Sequence, residues 1–191
     1  MLPVPKRQGI GVTPAQFDQK EIPMNSTPIM ELKGISKNFR ALQALDNVDF
    51  DLQEGEVHAI VGENGAGKST LMRILAGIYS EYEGVYILDG KQAVINSPGD
   101  ALAAGIGMIH QELSVIPELS VAENLFLGRQ PLTRWGTIDW ARMNQDAARE
   151  LKDLGFELEV EQPLEHYSLG TQQVVEVLRT IVSGARVLIM D

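Results

Sequence analysis

Residues 62–70 read GENGAGKST and follow the apolar run His58-Ala59-Ile60-Val61. This pattern, G-x-x-x-x-G-K-[ST], restricts the fold because its spacing has a mechanical cause. Gly62, Gly65 and Gly67 let the backbone curl until successive N–H groups converge, which makes a concavity suited to phosphate oxygens. Lys68 brings an ammonium within reach of β- and γ-phosphates, and Ser69 offers a hydroxyl to a divalent cation. Glu63, Asn64 and Ala66 fill the loop. From Thr70 to Ile78 the chain reads as a helix whose N-terminal dipole also favours an anion. Strand, loop and helix in this order predict a nucleotide-binding α/β architecture.

The chain of 191 residues is long enough for one domain with a sizeable core, and its 44% hydrophobic content is ordinary for a globular protein. A formal net charge of −10 makes it a poor general binder of nucleic acid or anionic lipid. The absence of cysteine excludes disulfides and thiolate metal sites. No apolar run approaches the roughly 18–20 residues that span a bilayer. The opening MLPVPKRQGIGVTP lacks the continuous apolar core of a secretory signal. Membrane association is therefore expected only through a partner.

Residues 1–28, with five prolines and little apolar periodicity, read as a flexible tail. Met24 and Met30 both remain open as starts of the compact part. From Ile29 the pattern changes. Residues 29–35 and 45–52 alternate as half-buried antiparallel strands do. The run Val57 to Val61 is continuously apolar, the mark of a strand buried on both faces. A strand over 84–88 turns at Asp89-Gly90 into a partner near 93–95. A short helix is expected over 98–104 and a short strand over 107–110. Trp140, Met143, Ala147, Leu151 and Leu154 fall at helical spacing behind Asp139, a plausible N-cap, and Val174, Leu178 and Ile181 form a second stripe. Both stripes read as core packing. Residues 186–190 form a last apolar strand. The expected class is α/β with an antiparallel addition.

Four further features surround the loop in a fixed order. Phe39 lies upstream in SKNFRAL, Gln111 sits in MIHQEL, residues 168–173 read SLGTQQ and open a helix, and VLIMD ends an apolar strand at Asp191. Together with GENGAGKST they resemble the ATP-binding cassette ATPases: a base-stacking aromatic, Walker A, the Q-loop, the signature and Walker B. The resemblance runs from about Ile29 to Asp191. Within that family, ISKNFRALQALDNVDFDLQEGEVHAIVGENGAGKSTLMRILAGIY and GMIHQELSVIPELSVAENLFLGRQP are similar to the simple-sugar importers of the ribose, xylose, arabinose and galactose group.

That resemblance implies a P-loop NTPase fold with an antiparallel β subdomain and an α-helical subdomain at about 112–172, all within an ATP-binding domain of residues 29–191. It implies ATP and Mg²⁺ as ligands. Phe39 would stack on adenine, whereas the bland alternative is a core aromatic. Lys68 and Gln111 would serve catalysis, with Ser69, Gln111 and Asp191 around the metal. Ser168, Leu169, Gly170, Thr171 and Gln172 would act on the ATP of a second cassette, whereas the bland alternative makes Ser168 an ordinary N-cap. Tyr167, Leu169 and Thr171 depart from the usual L-S-G-G-Q. His110 is not expected to be a ligand, since His58 and His166 show no metal spacing with it.

The implied partners are ATP, a second cassette, transmembrane permease subunits and, indirectly, a sugar-binding protein, with no nucleic acid. The implied place is the cytoplasmic face of the cell membrane. In the family a glutamate follows the Walker B aspartate and polarises the attacking water. A chain ending at Asp191 is therefore expected to bind ATP but hydrolyse it about 10²–10⁴-fold more slowly. It is also expected to be marginally stable, with an unpaired apolar strand edge. Two alternatives stay open: a soluble, ribosome-associated cassette protein, and a nucleotide-binding module without catalysis.

Overall fold

The computed structural model describes residues 27–40, 42–109 and 112–191. They fall into two compact units: the described part of Glu21–Val115 together with Ser168–Asp191, and Ile116–Tyr167. The tail expected over residues 1–28 lies outside the described residues up to 26, and so does Gln111.

The alternating segments form the first two strands, β1 (Met30–Phe39) and β2 (Leu42–Leu52), paired antiparallel. Met30, Leu32, Ile35 and Lys37 of β1 are buried. The spacing between Leu32 and Ile35 is three rather than two because Gly34 takes φ 64°, and the register shifts there. After the phosphate loop comes helix α1 (Lys68–Leu75), which buries Leu71, Ile74 and Leu75. Strand β3 (Glu83–Leu88) then pairs with the other side of β1. Asp89 and Gly90, both at positive φ, turn the chain into β4 (Lys91–Gln92). The return strand starts at the turn, two residues before the expected position, because a two-residue turn sets the register directly. The sheet order is β2-β1-β3-β4.

Helix α2 (Pro98–Ala103) is capped by Ser97, whose hydroxyl accepts from the Asp100 N–H. Strand β5 (Ile106–Ile109) follows. The chain then enters the second unit. There α3 (Val121–Leu125) opens on a capping box of Ser120 and Glu123, and α4 (Trp140–Asp153) opens on the Asp139 carboxylate. Val121, Leu125, Met143, Ala147, Leu151 and Leu164 form a core of their own, each at most 2% exposed. Trp140 and Leu154, at the ends of the predicted stripe, are instead exposed. The entering and leaving segments are joined: Ser120 bridges Pro163, the Leu164 N–H donates to the Leu119 carbonyl, and that of Glu165 to Pro117. Asn124, fully buried, accepts from the Ile116 N–H and donates to the carbonyls of Ile116, Leu119 and Ser120.

The chain returns to the first unit as α5 (Leu169–Val182) and β6 (Val187–Met190), which pairs parallel with β5. A Cβ on Gly107 would stand 2.1 Å from Thr180 Cγ2, so the absent side chain lets α5 lie directly on β5. The buried face of α5 carries Thr171, Val175, Glu176 and Leu178. The predicted stripe of Val174, Leu178 and Ile181 is rotated by about one position, and only Leu178 is fully buried.

One expectation is overturned. Val57 to Val61 is not a strand; Val57 is 98% and Val61 87% exposed. An apolar run becomes a doubly buried strand only with a hydrogen-bonded neighbour on each side. Among the described residues the parallel sheet consists of β5 and β6, and neither pairs with this run.

Candidate functional site

The loop takes its shape from two left-handed glycines, Gly65 at φ 87° and Gly67 at φ 90°. Gly67 is also the N-cap of α1, where no side chain closes the helix end. A Cβ there would sit 2.5 Å from the Ala44 carbonyl oxygen and 2.8 Å from Leu45 Cδ2, so the loop rests against β2 at a place only glycine fits. The Ala66 N–H turns back to the Glu63 carbonyl. Lys68 donates to the carbonyls of Gly62 and Glu63, both at 2.8 Å. Its ammonium is thus held over the loop, on carbonyls that phosphate oxygens would replace. Thr70 is half-buried behind it.

Ser69 Oγ stands 3.2 Å from Asp191 Oδ1, so the predicted hydroxyl and carboxylate are together. The ladder brings them there: Asp191 extends β6, and its N–H donates to the Ile109 carbonyl. Both are hard oxygen donors. Among the described residues no cluster of three or more His, Cys, Asp or Glu could hold a metal. Two protein oxygens on solvent-exposed residues fit Mg²⁺, which keeps several waters and uses few carboxylates.

Phe39, at the end of β1, is 37% exposed, and its ring meets Tyr79 edge-on at 5.2 Å between centroids. It is a rim aromatic rather than a core one. Phe50 is half-buried and stacks edge-on against His58. Ser168 caps α5 through the Thr171 N–H and meets the Thr171 hydroxyl at 3.0 Å. Ser168, Leu169 and Gly170 are exposed, Thr171 is buried and Gln172 is half-buried. The cap role weighed for Ser168 is present in the structure, and its segment still faces outward.

Sequence reasoning missed a polar network built on the buried Glu176 of this helix. The Glu176 carboxylate accepts from the Ser114 hydroxyl at 2.6 Å and the Ser114 N–H at 3.1 Å. Arg179 donates to the Ser114 carbonyl at 3.1 Å and also to its hydroxyl. The segment just after Gln111 is thereby tied to α5. The available signal was a carboxylate inside an apolar helical stripe.

Burial pushes the Tyr86 phenol above its ordinary value near 10, with nearby Tyr82 adding to the rise. Its hydroxyl donates to the Leu75 carbonyl at 3.2 Å, fastening β3 to the helix that follows the phosphate loop.

Residues 45–191 match the family model described as ABC transporter. The chain is 50% identical over 164 residues to the ribose import ATP-binding protein RbsA of Caldanaerobacter subterraneus, covering 86% of this chain and 33% of that protein. It is 43% identical over 170 residues to the arabinose import ATP-binding protein AraG of Vibrio parahaemolyticus, covering 89% and 33%. The chain thus spans about a third of the length of the curated relatives it matches. A crystal structure of a nucleotide-free ATP-binding cassette from an ABC transporter superposes with a TM-score of 0.71 at 26% identity, covering 86% of this chain and 69% of that one.

Proposed function

This chain belongs to the ABC transporter family, with its α/β P-loop fold, and on that premise we propose that it is the ATP-binding part of a monosaccharide importer. The single observation that carries the nucleotide reading is the meeting of Ser69 and Asp191 beside Lys68. A cation ligand pair and a phosphate-directed ammonium then share one edge of one loop. The sugar-import reading is supported by the names of the ribose and arabinose relatives.

In this reading the backbone from Gly62 to Gly67 cradles the phosphates of ATP, and Lys68 leaves its two carbonyls to balance their charge. Ser69 and Asp191 would hold Mg²⁺, which would supply positive charge to neutralise the phosphate oxygens. Phe39 stacks on adenine. Gln111, outside the described residues, would act on the metal and the attacking water. Residues 168–172 present the start of α5 to the γ-phosphate held by a second cassette. Phosphoryl transfer needs mainly positioning and electrostatic stabilisation, and these groups supply both. The compact unit Ile116–Tyr167, inside the span expected for the helical subdomain, meets the permease. No helix among the described residues is long and apolar enough to cross a membrane. In this reading the protein works at the inner face of the membrane through its permease, which receives sugar from a binding protein.

Two measurements test this. Calorimetric titration should show Mg·ATP binding that Lys68→Ala weakens. Affinity purification from solubilised membranes should recover permease subunits, and deletion of the gene should impair uptake of a simple sugar such as ribose, xylose, arabinose or galactose. Fractionation with ribosomes and unimpaired uptake would sink the import reading and favour a soluble cassette protein.

A further inference from the structure

The clearest cluster left unused by that reading lies behind Phe39. Lys37, on β1, is 8% exposed although it carries an ammonium. Its Nζ donates to the Glu81 carbonyl and lies 5.2 Å from the Phe39 ring centroid and 5.8 Å from that of Tyr79. Tyr79 meets Phe39 at an interplanar angle of 68°. On its far side, the Tyr79 hydroxyl accepts from Arg73 at 3.2 Å, and the Arg73 guanidinium lies 6.0 Å from the ring. Arg73 sits in the last turn of α1, the helix that begins at Lys68. A continuous chain of contacts therefore runs from the phosphate helix through Arg73 and Tyr79 to Phe39, with Lys37 serving both rings.

We propose that Tyr79, held by Arg73 and Lys37, is a positioning residue that sets the Phe39 ring at a fixed place relative to the phosphate loop, so that the ring stacks on a purine whose phosphates are already seated. The inference rests on the base-stacking reading of Phe39. Its physical basis is that an exposed aromatic at a strand end otherwise rotates among rotamers, and stacking must overcome that freedom. An edge-on neighbour and a buried cation remove it beforehand. The cation also draws electron density from the ring, which favours stacking on an electron-rich purine. The brace acts on the base and leaves the phosphate contacts untouched.

Calorimetric titration with two probes, ATP and inorganic tripolyphosphate, both with Mg²⁺, separates the parts. Phe39→Ala should weaken ATP about tenfold and leave tripolyphosphate unchanged. Tyr79→Leu should weaken ATP roughly threefold or more, again without moving tripolyphosphate. Tyr79→Phe keeps the edge contact but loses Arg73, and should fall between wild type and Tyr79→Leu. If Tyr79→Leu does not fold, Tyr79→Phe and Lys37→Met carry the test with the same expected split. Unchanged ATP affinity in the Tyr79 and Lys37 variants, beside a loss in Phe39→Ala, overturns the brace and keeps the stacking reading. Unchanged ATP affinity in Phe39→Ala overturns both. Equal weakening of both probes in Tyr79→Leu assigns the residue to the loop's fold and overturns the proposal.

Discussion

Ser69 Oγ and Asp191 Oδ1 lie 3.2 Å apart although 122 positions separate them in the chain. Nothing local links them; β5 and β6 lie between. If the pair holds Mg²⁺ through its water ligands, Asp191→Ala should lower metal affinity about 10–100-fold, as loss of an outer-shell partner does at other metal sites. Titrating ATP with Mg²⁺ and again with chelator checks this. The metal-dependent gain should shrink in Asp191→Ala and Ser69→Ala, while metal-free ATP binding stays near wild type.

Among the described residues Lys68 donates through its ammonium only to carbonyls of its own loop. Replacing it with alanine should therefore cost little stability but much affinity. A hydrogen bond to a charged group contributes about 1.5–3 kcal/mol, which corresponds to about 10–150-fold in ATP affinity. Calorimetry beside a thermal melt reads both, and a large fall in Tm with unchanged affinity would reverse the assignment.

Gly67→Ala should displace the loop from β2. The new Cβ meets a backbone carbonyl at 2.5 Å and forces alanine to φ 90°, a combined cost of about 2–4 kcal/mol. Urea unfolding measures the loss. Nucleotide binding should weaken even at temperatures where the variant remains folded.

Glu176→Ala removes the acceptor of two Ser114 donors, and because Ser114 is exposed water replaces it, so the cost is about 0.5–1.5 kcal/mol. Glu176→Gln keeps an acceptor oxygen and should lose less. Chemical denaturation of the two variants gives the order, and equal losses would mean that the carboxylate is not what holds Ser114.

The Tyr86 phenol is raised above 10 by burial. In the unfolded chain it ionises near its ordinary value, so the folded state keeps its advantage below that value. The advantage falls as the pH rises above 10. Tyr86→Phe should cost about 1 kcal/mol at neutral pH through the lost bond to Leu75 and flatten the alkaline decline. Stability curves from pH 7 to 11 test both halves.

The phosphate loop was legible because its geometry depends on residue types a few positions apart. Gly67 and Lys68 act on their immediate surroundings, and the caps at Ser97, Ser120, Asp139 and Ser168 are equally local. The strand alternation located β1 and β2 but could not foresee the shift at Gly34, since a bulge shows only in the pairing. The run at Val57 misled because apolar character reports a preference for burial without supplying the neighbours that satisfy it. Lys37 and Glu176 were passed over for the opposite reason. A charge in an apolar pattern looks like an interruption until its partners, Tyr79 for Lys37 and Ser114 for Glu176, arrive from elsewhere in the chain. Gln111 and the segment before residue 27 lie outside what the structure describes.

The hydrogen-bonded neck between Pro117–Ser120 and Pro163–Glu165 bears on how quickly the Ser69–Asp191 pair can assemble. Parallel pairing of Ile109 with Met190 must close a long excursion of chain. If the inserted unit folds first on its own core, its neck ties off most of that excursion. The effective loop becomes roughly 2.5-fold shorter, which lowers the entropic barrier to closure by about 0.8 kcal/mol. The insertion then shortens the search that joins β5 to β6, and Ser69 gains its carboxylate neighbour at a rate closer to that of a plain crossover than the sequence separation implies.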